Sequence, residues 1–214
     1  GNNSTFVCRA LSSSGTDTYA AIAGAVGSLK GPLHGGANAK VMEMFNYVKA
    51  NVDPKDDGSI MDYLQKILNK EAGDGSGKLY GLGHAVYTIS DPRAVLIKKY
   101  AQNIAEQKGY GEDFRLLQKI EELGLPMIME HRKDGMPMCA NVDMYSGMVY
   151  SMLGIPSDVF TPIFASARIA GWCANRIEEV LTGNRIMRPA YRAVVKKEHY
   201  QPIAQRSADI FNMG

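Results

Sequence analysis

Two histidines and one aspartate in this chain each stand at a break in regular structure, and together they could take a proton from a carbon acid. His34 lies in Gly31-Pro-Leu-His34-Gly-Gly-Ala-Asn38. His84 lies in Gly81-Leu-Gly83-His84-Ala-Val-Tyr87, with Asp91-Pro92-Arg93 shortly after it, and Asp143 closes Asn141-Val142-Asp143. Imidazole is the side chain best suited to donate a hydrogen bond or a proton near neutral pH, and a carboxylate can act as base. Glycine-rich breaks let the backbone approach a ligand closely. One base and two donors are together a sufficient set for general acid–base chemistry. Singly, each residue has a plainer reading. His34 could bond to a turn, His84 could belong to a degenerate phosphate loop, and Asp143 could cap a helix beginning at Met144. Their joint occurrence in this order favours chemistry.

Composition narrows the classes. A chain of 214 residues can bury a sizeable core in one or two domains. Its 24 Lys and Arg against 22 Asp and Glu leave a formal charge of +2, with no basic run to track a phosphate backbone, so nucleic acid is not expected as a partner. No stretch approaches the roughly 18 to 20 consecutive apolar residues of a membrane span, and the first residues do not read as a leader. Cys8, Cys139 and Cys173 are odd in number, far apart and without ligand spacing, as expected of free thiols in a reducing cytoplasm. No metal site is read.

The elements that must position these residues read as helices. Alanine-rich Asp17 to about Leu29 ends at Gly31-Pro32. Val41, Met44, Phe45 and Val48 give Ala37 to Val48 an amphipathic spacing. A further helix is expected from Ser59, as N-cap, through Ile60, Leu64, Ile67 and Leu68. Asp91-Pro92 opens another, with proline at the first helical position, running through Leu96, Ile97, Tyr100 and Ile104 to Gly109. Gly111 to Gly124, Met144 to Leu153 and Asp158 to about Leu181 follow, and Pro137 to Ala140 is expected to be extended. The fold class is all-α.

The segments GPLHGGAN, GLGHAVYTISDPRA, NVDMYSG, FTPIFASARIAGW and Arg185-Ile-Met-Arg188-Pro189 resemble blocks of the citrate synthase family, to which the 2-methylcitrate synthases are closely similar. The resemblance implies a C-terminal portion of an enzyme nearly twice as long, its N-terminal half missing together with a substrate-binding histidine upstream. It implies large-domain segments 1–35 and 155–214 around a small, CoA-binding domain 36–154, with the Gly35-Gly36 pair a candidate hinge.

It also implies roles. His34 would donate to the thioester oxygen of acetyl-CoA, Asp143 would remove the methyl proton, and His84 would polarise the ketone of oxaloacetate. Arg93, Arg168 and Arg188 would bind its carboxylates, Arg188 by reaching into the partner's site of a homodimer. Arg168 interrupts an apolar run, where an unpaired charge is costly. Lys78, Leu79, Tyr80, Gly81, Leu82 and Gly83 would wrap the adenine of CoA, and Asn141 would contact its pantetheine region. Ala85 and Thr88 stand where some members carry basic residues. No cofactor is implied, since acetyl-CoA is a co-substrate. The alternatives are 2-methylcitrate synthesis from propionyl-CoA and CoA binding without turnover. Apolar faces on 17–29 and 158–180 lead to the expectation that the chain alone dimerises, aggregates or is held by its small domain, and lacks normal synthase activity.

Overall fold

The computed structural model describes residues 2–84, 86–132, 135–182, 185–190, 194 and 199–205. Among these the regular structure is helical: α1 (Asn3–Ser13), α2 (Thr18–Lys30), α3 (Ala37–Asn51), α4 (Asp57–Leu68), α5 (Pro92–Lys108), α6 (Gly111–Arg132), α7 (Asp143–Met152) and α8 (Phe160–Thr182). Short 3-10 turns cover Ser157–Val159 and Ile203–Gln205.

Local signals set most boundaries. Asp17 caps α2 by accepting from the Ala20 N–H, and Asp91 caps α5 ahead of Pro92, with Gly109 in the left-handed conformation at its end. Two boundaries and one whole helix differ from expectation. Helix α4 starts at Asp57 with Asp56 as its cap, because the Asp56 carboxylate accepts from the Gly58 N–H, while Ser59 Oγ accepts from the Asp53 N–H instead. Helix α6 continues through Gly124 and Pro126 to Arg132. Gly124 is not a stop: a Cβ there would come within 2.8 Å of Leu82 Cδ1, so this glycine permits close packing inside a helix. Helix α1 was not expected, and the face it buries carries Ser4, Cys8 and Ser12 rather than its large apolar residues.

Two apolar cores result. The larger joins α3 to α7 through Val41, Phe45, Leu64, Leu117, Ile120 and Tyr145. The smaller gathers Cys8 of α1, Ala21, Ala25 and Leu29 of α2 and Trp172 of α8. Small residues bring α1 and α2 together: a Cβ on Gly24 would lie 2.2 Å from Leu11 Cδ1. Arg9 reinforces the smaller core by pairing with the buried Glu179 at 2.9 Å. Outward faces of α2 and α8 keep Tyr19, Val26, Ile177, Val180 and Leu181 exposed. Among the described residues no helix is long and apolar enough to cross a membrane. Cys8, Cys139 and Cys173 are free thiols.

The long connection between α4 and α5 is pinned by a short paired stretch. Leu82 and Ala140 form an antiparallel bridge, flanked by the Gly83 N–H on Cys139 O at 2.8 Å and the Asn141 N–H on Gly81 O at 2.9 Å. Extended backbone before Asn141 was expected; its pairing with 81–83 was not. Gly81 has φ +84°, and a Cβ there would stand 2.8 Å from Met144 Sδ and 2.9 Å from Val41 Cγ2. Gly81→Ala therefore combines left-handed strain with overpacking and should lower stability by about 3 kcal/mol in chemical denaturation. A change below about 1 kcal/mol would show that this junction can relax.

Candidate active site

His34 projects from the turn between α2 and α3, where its own N–H and that of Gly35 bond to Gly31 O at 2.9 and 3.1 Å. Gly35 is fixed by space: a Cβ would fall 2.0 Å from Leu29 O, and its carbonyl accepts from Thr161 Oγ at 2.7 Å. The imidazole reaches the N-terminus of α1, where the Ser4 N–H donates to His34 Nε2 at 3.2 Å. That N–H is one of the donors that a helix start leaves without an internal partner. Ser4 Oγ donates to Asn2 Oδ1 at 2.9 Å and stands 3.1 Å from the same Nε2. With Nε2 accepting, the proton of neutral His34 is on Nδ1. Burial, then the Arg168 charge, lowers the His34 pKa, and the positive end of α1 acts in the same direction. His34 is a neutral donor.

His84 follows Gly83 and is fixed in the opposite sense. Its Nδ1 accepts from the Val86 N–H at 2.9 Å and the Tyr87 N–H at 3.0 Å. These two shorter backbone bonds outweigh the single, longer approach of Arg93 Nη2 to Nε2 at 3.3 Å, so the ring proton sits on Nε2. Two donors side by side suit one carbonyl or carboxylate oxygen.

Asp143 opens α7. It is the first helical residue rather than the cap, and Asn141 Oδ1 accepts its N–H at 2.9 Å while Asn141 Nδ2 donates to Gly83 O at 2.8 Å. One amide thus ties the His84 loop to the start of the Asp143 helix. Burial pushes the Asp143 carboxyl up to about 6, against the pull of Arg93 and Arg168. That is a base poised near neutral pH. Arg168, on α8, lies over the Phe164 ring at 4.4 Å and donates to Ser4 Oγ at 3.5 Å. Burial and then Arg93 lower its pKa, with Asp143 opposing them.

These groups share one cleft of about 510 Å³, lined by His34, Gly83, His84, Arg93, Asn141, Asp143 and Arg168 together with Asn2, Gly35, Val86, Tyr87, Val142 and Phe164. Chemically it offers two neutral imidazole donors, a carboxylate base and two guanidinium groups. Such a set can hold a dicarboxylate and stabilise charge on two oxygens while a carbon-bound proton is removed. Among the described residues no group of three His, Cys, Asp or Glu could hold a metal ion.

Residues 1–190 match the family described as citrate synthase, C-terminal domain. The chain belongs to the citrate synthase family. It is 42% identical to the citrate synthase of Deinococcus radiodurans over 207 residues, 96% of this chain and 50% of that protein. It is 36% identical to the 2-methylcitrate synthase of Shewanella oneidensis, again over 96% of this chain and 50% of the relative. The citrate synthase of Thermoplasma acidophilum, solved in ternary complex with carboxymethyl coenzyme A and oxaloacetate, superposes with TM-score 0.75 at 31% identity, covering 96% of this chain and 51% of that one. That of Thermotoga maritima gives TM-score 0.73 at 35% identity, with 97% and 52% covered. The chain thus spans about half the length of the relatives it matches, and its all-α fold is that of the family.

The remaining residues singled out in this citrate synthase family chain lie elsewhere. Leu79 is buried in the larger core, so only its backbone can meet a ligand, and Leu82 packs partly buried against that core. Gly81 is buried at the Met144 junction. Lys78 and Tyr80 border a separate recess with Lys40 and Asp74, where the Tyr80 hydroxyl donates to Asp74 at 2.7 Å. Arg188 is exposed in the stretch after α8, outside the cleft lining, and Ala85 lies outside the described residues. Sequence reading missed Ser4, which settles the His34 tautomer, and Asp91 and Tyr87, which hold Arg93 and His84. For Asp91 the signal was its place two residues before Arg93; Ser4 gave none.

The raised Asp143 pKa carries a stability consequence with a definite sign. Its ordinary value is 3.8 and its folded value about 6, so the charged form is penalised in the fold and stability is lost as pH rises between them. Asp143→Asn should unfold later than the parent chain above pH 7, by about 3 kcal/mol, with the gap closing toward pH 4. A gap independent of pH in denaturant melts would contradict a buried, destabilised carboxylate.

Proposed function

We propose that this chain carries the catalytic half-site of a condensing enzyme that joins acetyl-CoA to oxaloacetate and, with water, gives citrate and CoA. The observation that carries the reading is the pair of oppositely fixed imidazoles, His34 with its proton on Nδ1 and His84 with its proton on Nε2, facing one cleft with Asp143.

In this mechanism Asp143 takes a methyl proton from acetyl-CoA while His34 Nδ1–H donates to the thioester oxygen, where charge develops as the enol forms. A donor already in place lowers the cost of that charge because nothing must reorganise during the step. The enol carbon then bonds to the ketone carbon of oxaloacetate. The ketone oxygen, held by His84 Nε2–H and flanked by Arg93, takes up the electron pair and becomes the hydroxyl. Water cleaves the citryl-CoA thioester, releasing citrate and CoA. Arg93 and Arg168 neutralise the two carboxylates of oxaloacetate.

The two apolar cores support a division at about 35–36 and 154–155, with the small domain between these points and segments 1–35 and 155–214 belonging to the large one. His34 and Arg168 would stand on one side of the cleft and His84, Arg93 and Asp143 on the other, so closure on oxaloacetate would complete the acetyl-CoA site and exclude water. The backbone of 78–83 would border the adenine. Exposed Tyr19, Val26, Ile177, Val180 and Leu181 would be covered by the N-terminal half present in the relatives or by a second copy, with Arg188 reaching the partner's site.

A second reading, 2-methylcitrate synthesis from propionyl-CoA, has the support of the Shewanella relative. One methylene changes discrimination by about 1–3 kcal/mol, which a few side chains can set.

Release of free CoA from acetyl-CoA, with and without oxaloacetate, tests the proposal on this chain and on the chain joined to the N-terminal half its relatives carry. The joined protein should turn over only with oxaloacetate. Asp143→Asn should lower its kcat by about 10³, and His34→Asn by about 10²–10³. Preference for propionyl-CoA would select the second reading, and oxaloacetate-independent release or no turnover with either thioester would overturn condensation altogether.

A further inference from the structure

Asp91 is 1% exposed and lies outside the cleft lining, behind Arg93, which together with His84 belongs to that lining. A carboxylate so buried is tolerated only when its oxygens are matched by donors. Oδ1 accepts from the Arg93 backbone N–H at 3.0 Å and from Arg93 Nε at 3.0 Å, and Oδ2 accepts from Arg93 Nη2 at 2.8 Å. The first bond caps α5; the other two grip the guanidinium along its side edge.

Arginine has five N–H donors in a rigid plane. Two are held by Asp91, leaving both on Nη1 and one on Nη2, the nitrogen that stands 3.3 Å from His84 Nε2. The Tyr87 ring lies 5.7 Å from Arg93 Cζ and 4.8 Å from the His84 ring, bracing both from one side. Without such support an arginine side chain 44% exposed would sample many rotamers, and each binding event would have to order it.

We propose that Asp91 is a positioning residue for substrate binding, fixing the side edge of Arg93 so that its free end grips one carboxylate of a 2-oxo dicarboxylate whose ketone oxygen is held by His84 Nε2–H. This rests on the reading of the cleft given above and extends it to a residue that touches no substrate. Because one carboxylate both caps α5 and aims Arg93, the direction of the guanidinium is tied to the start of that helix. Burial alone would raise the Asp91 pKa, but the bonds from Arg93 outweigh it and keep the carboxylate charged as the brace requires.

Asp91→Ser separates cap from brace, since serine still accepts from a helix N-terminus but cannot reach the guanidinium. Asp91→Asn keeps one acceptor for the cap and Nε, and it serves if the serine variant folds poorly. The primary readout is the arginine side-chain ¹H–¹⁵N spectrum of the 214-residue chain, with Arg93 assigned by its loss in Arg93→Lys. In the parent chain Arg93 Nε–H should be shifted and slow to exchange. In Asp91→Ser it should exchange at least tenfold faster, at the position of a free arginine, while the α5 amides are unmoved. In Asp91→Asn the Nη protons should average by faster rotation. An Arg93 signal unchanged in both variants overturns the proposal.

The second readout is calorimetric titration with oxaloacetate and with acetyl-CoA, on this chain and on the joined protein. Asp91→Ser should weaken oxaloacetate at least tenfold and acetyl-CoA less than twofold, and adding it to Arg93→Met should cost nothing further. Equal weakening of both ligands, or full additivity with Arg93→Met, overturns the proposal. Absence of oxaloacetate binding by the parent in both forms overturns the dicarboxylate reading itself, while the Arg93 spectrum still decides the brace.

Discussion

Backbone N–H groups aimed at imidazole nitrogens are the constraint on which the rest of this site depends. Ser4 donates to His34 Nε2, and Val86 and Tyr87 donate to His84 Nδ1. Each contact consumes the lone pair that a protonated ring could not offer, so it selects the neutral ring and chooses which nitrogen carries hydrogen. A charged imidazole would lose these bonds and meet Arg168 or Arg93 as well. Two neutral donors can thus face a cleft that already holds two guanidinium groups.

Those N–H groups are available only because the elements around them are built as they are. Asn2 caps α1 and leaves the Ser4 N–H free at the helix start. Bringing α1 and α2 together over Cys8, Ala21, Ala25 and Trp172 places that start against the His34 turn. On the other side, the Leu82–Ala140 bridge and the Asn141 amide hold the His84 loop to α7, so His84 and Asp143 are positioned by one junction. Asn141 spends both ends of its amide on this tie, and Gly81 exists to let the loop pass Met144 and Val41. The site is accurate where backbone closes on backbone, and the side chains inherit that accuracy.

Much of the helical framework was legible because its signals are local. The Asp17 cap, Asp91-Pro92 with Gly109, and the spacing of Val41, Met44, Phe45 and Val48 each act within one or two turns. The misses share the opposite character. Helix α1 carries Phe6, Val7, Ala10 and Leu11 at helical spacing, but it buries Ser4, Cys8 and Ser12 against distant helices and leaves Phe6 and Leu11 exposed, so its apolar residues do not mark the buried face. Gly124 read as a helix end, but it answers to Leu82 across the core. At the site, residue types and order pointed to His34, His84 and Asp143. They could not supply the tautomers, which depend on contacts such as that of Ser4 with His34, 30 residues apart in sequence. The resemblance placed Leu79 and Leu82 in a ligand-wrapping loop, whereas Leu79 is in the core and Leu82 packs against it.

Long-range ¹H–¹⁵N spectra of the histidine rings, with His34 and His84 assigned by substitution, test the central claim most directly. At pH 7 His34 should be neutral with its proton on Nδ1, and His84 should show an unprotonated Nδ1 with its proton on Nε2. His34 charged at that pH, or either ring in the other tautomer, would contradict a cleft built from two fixed neutral donors.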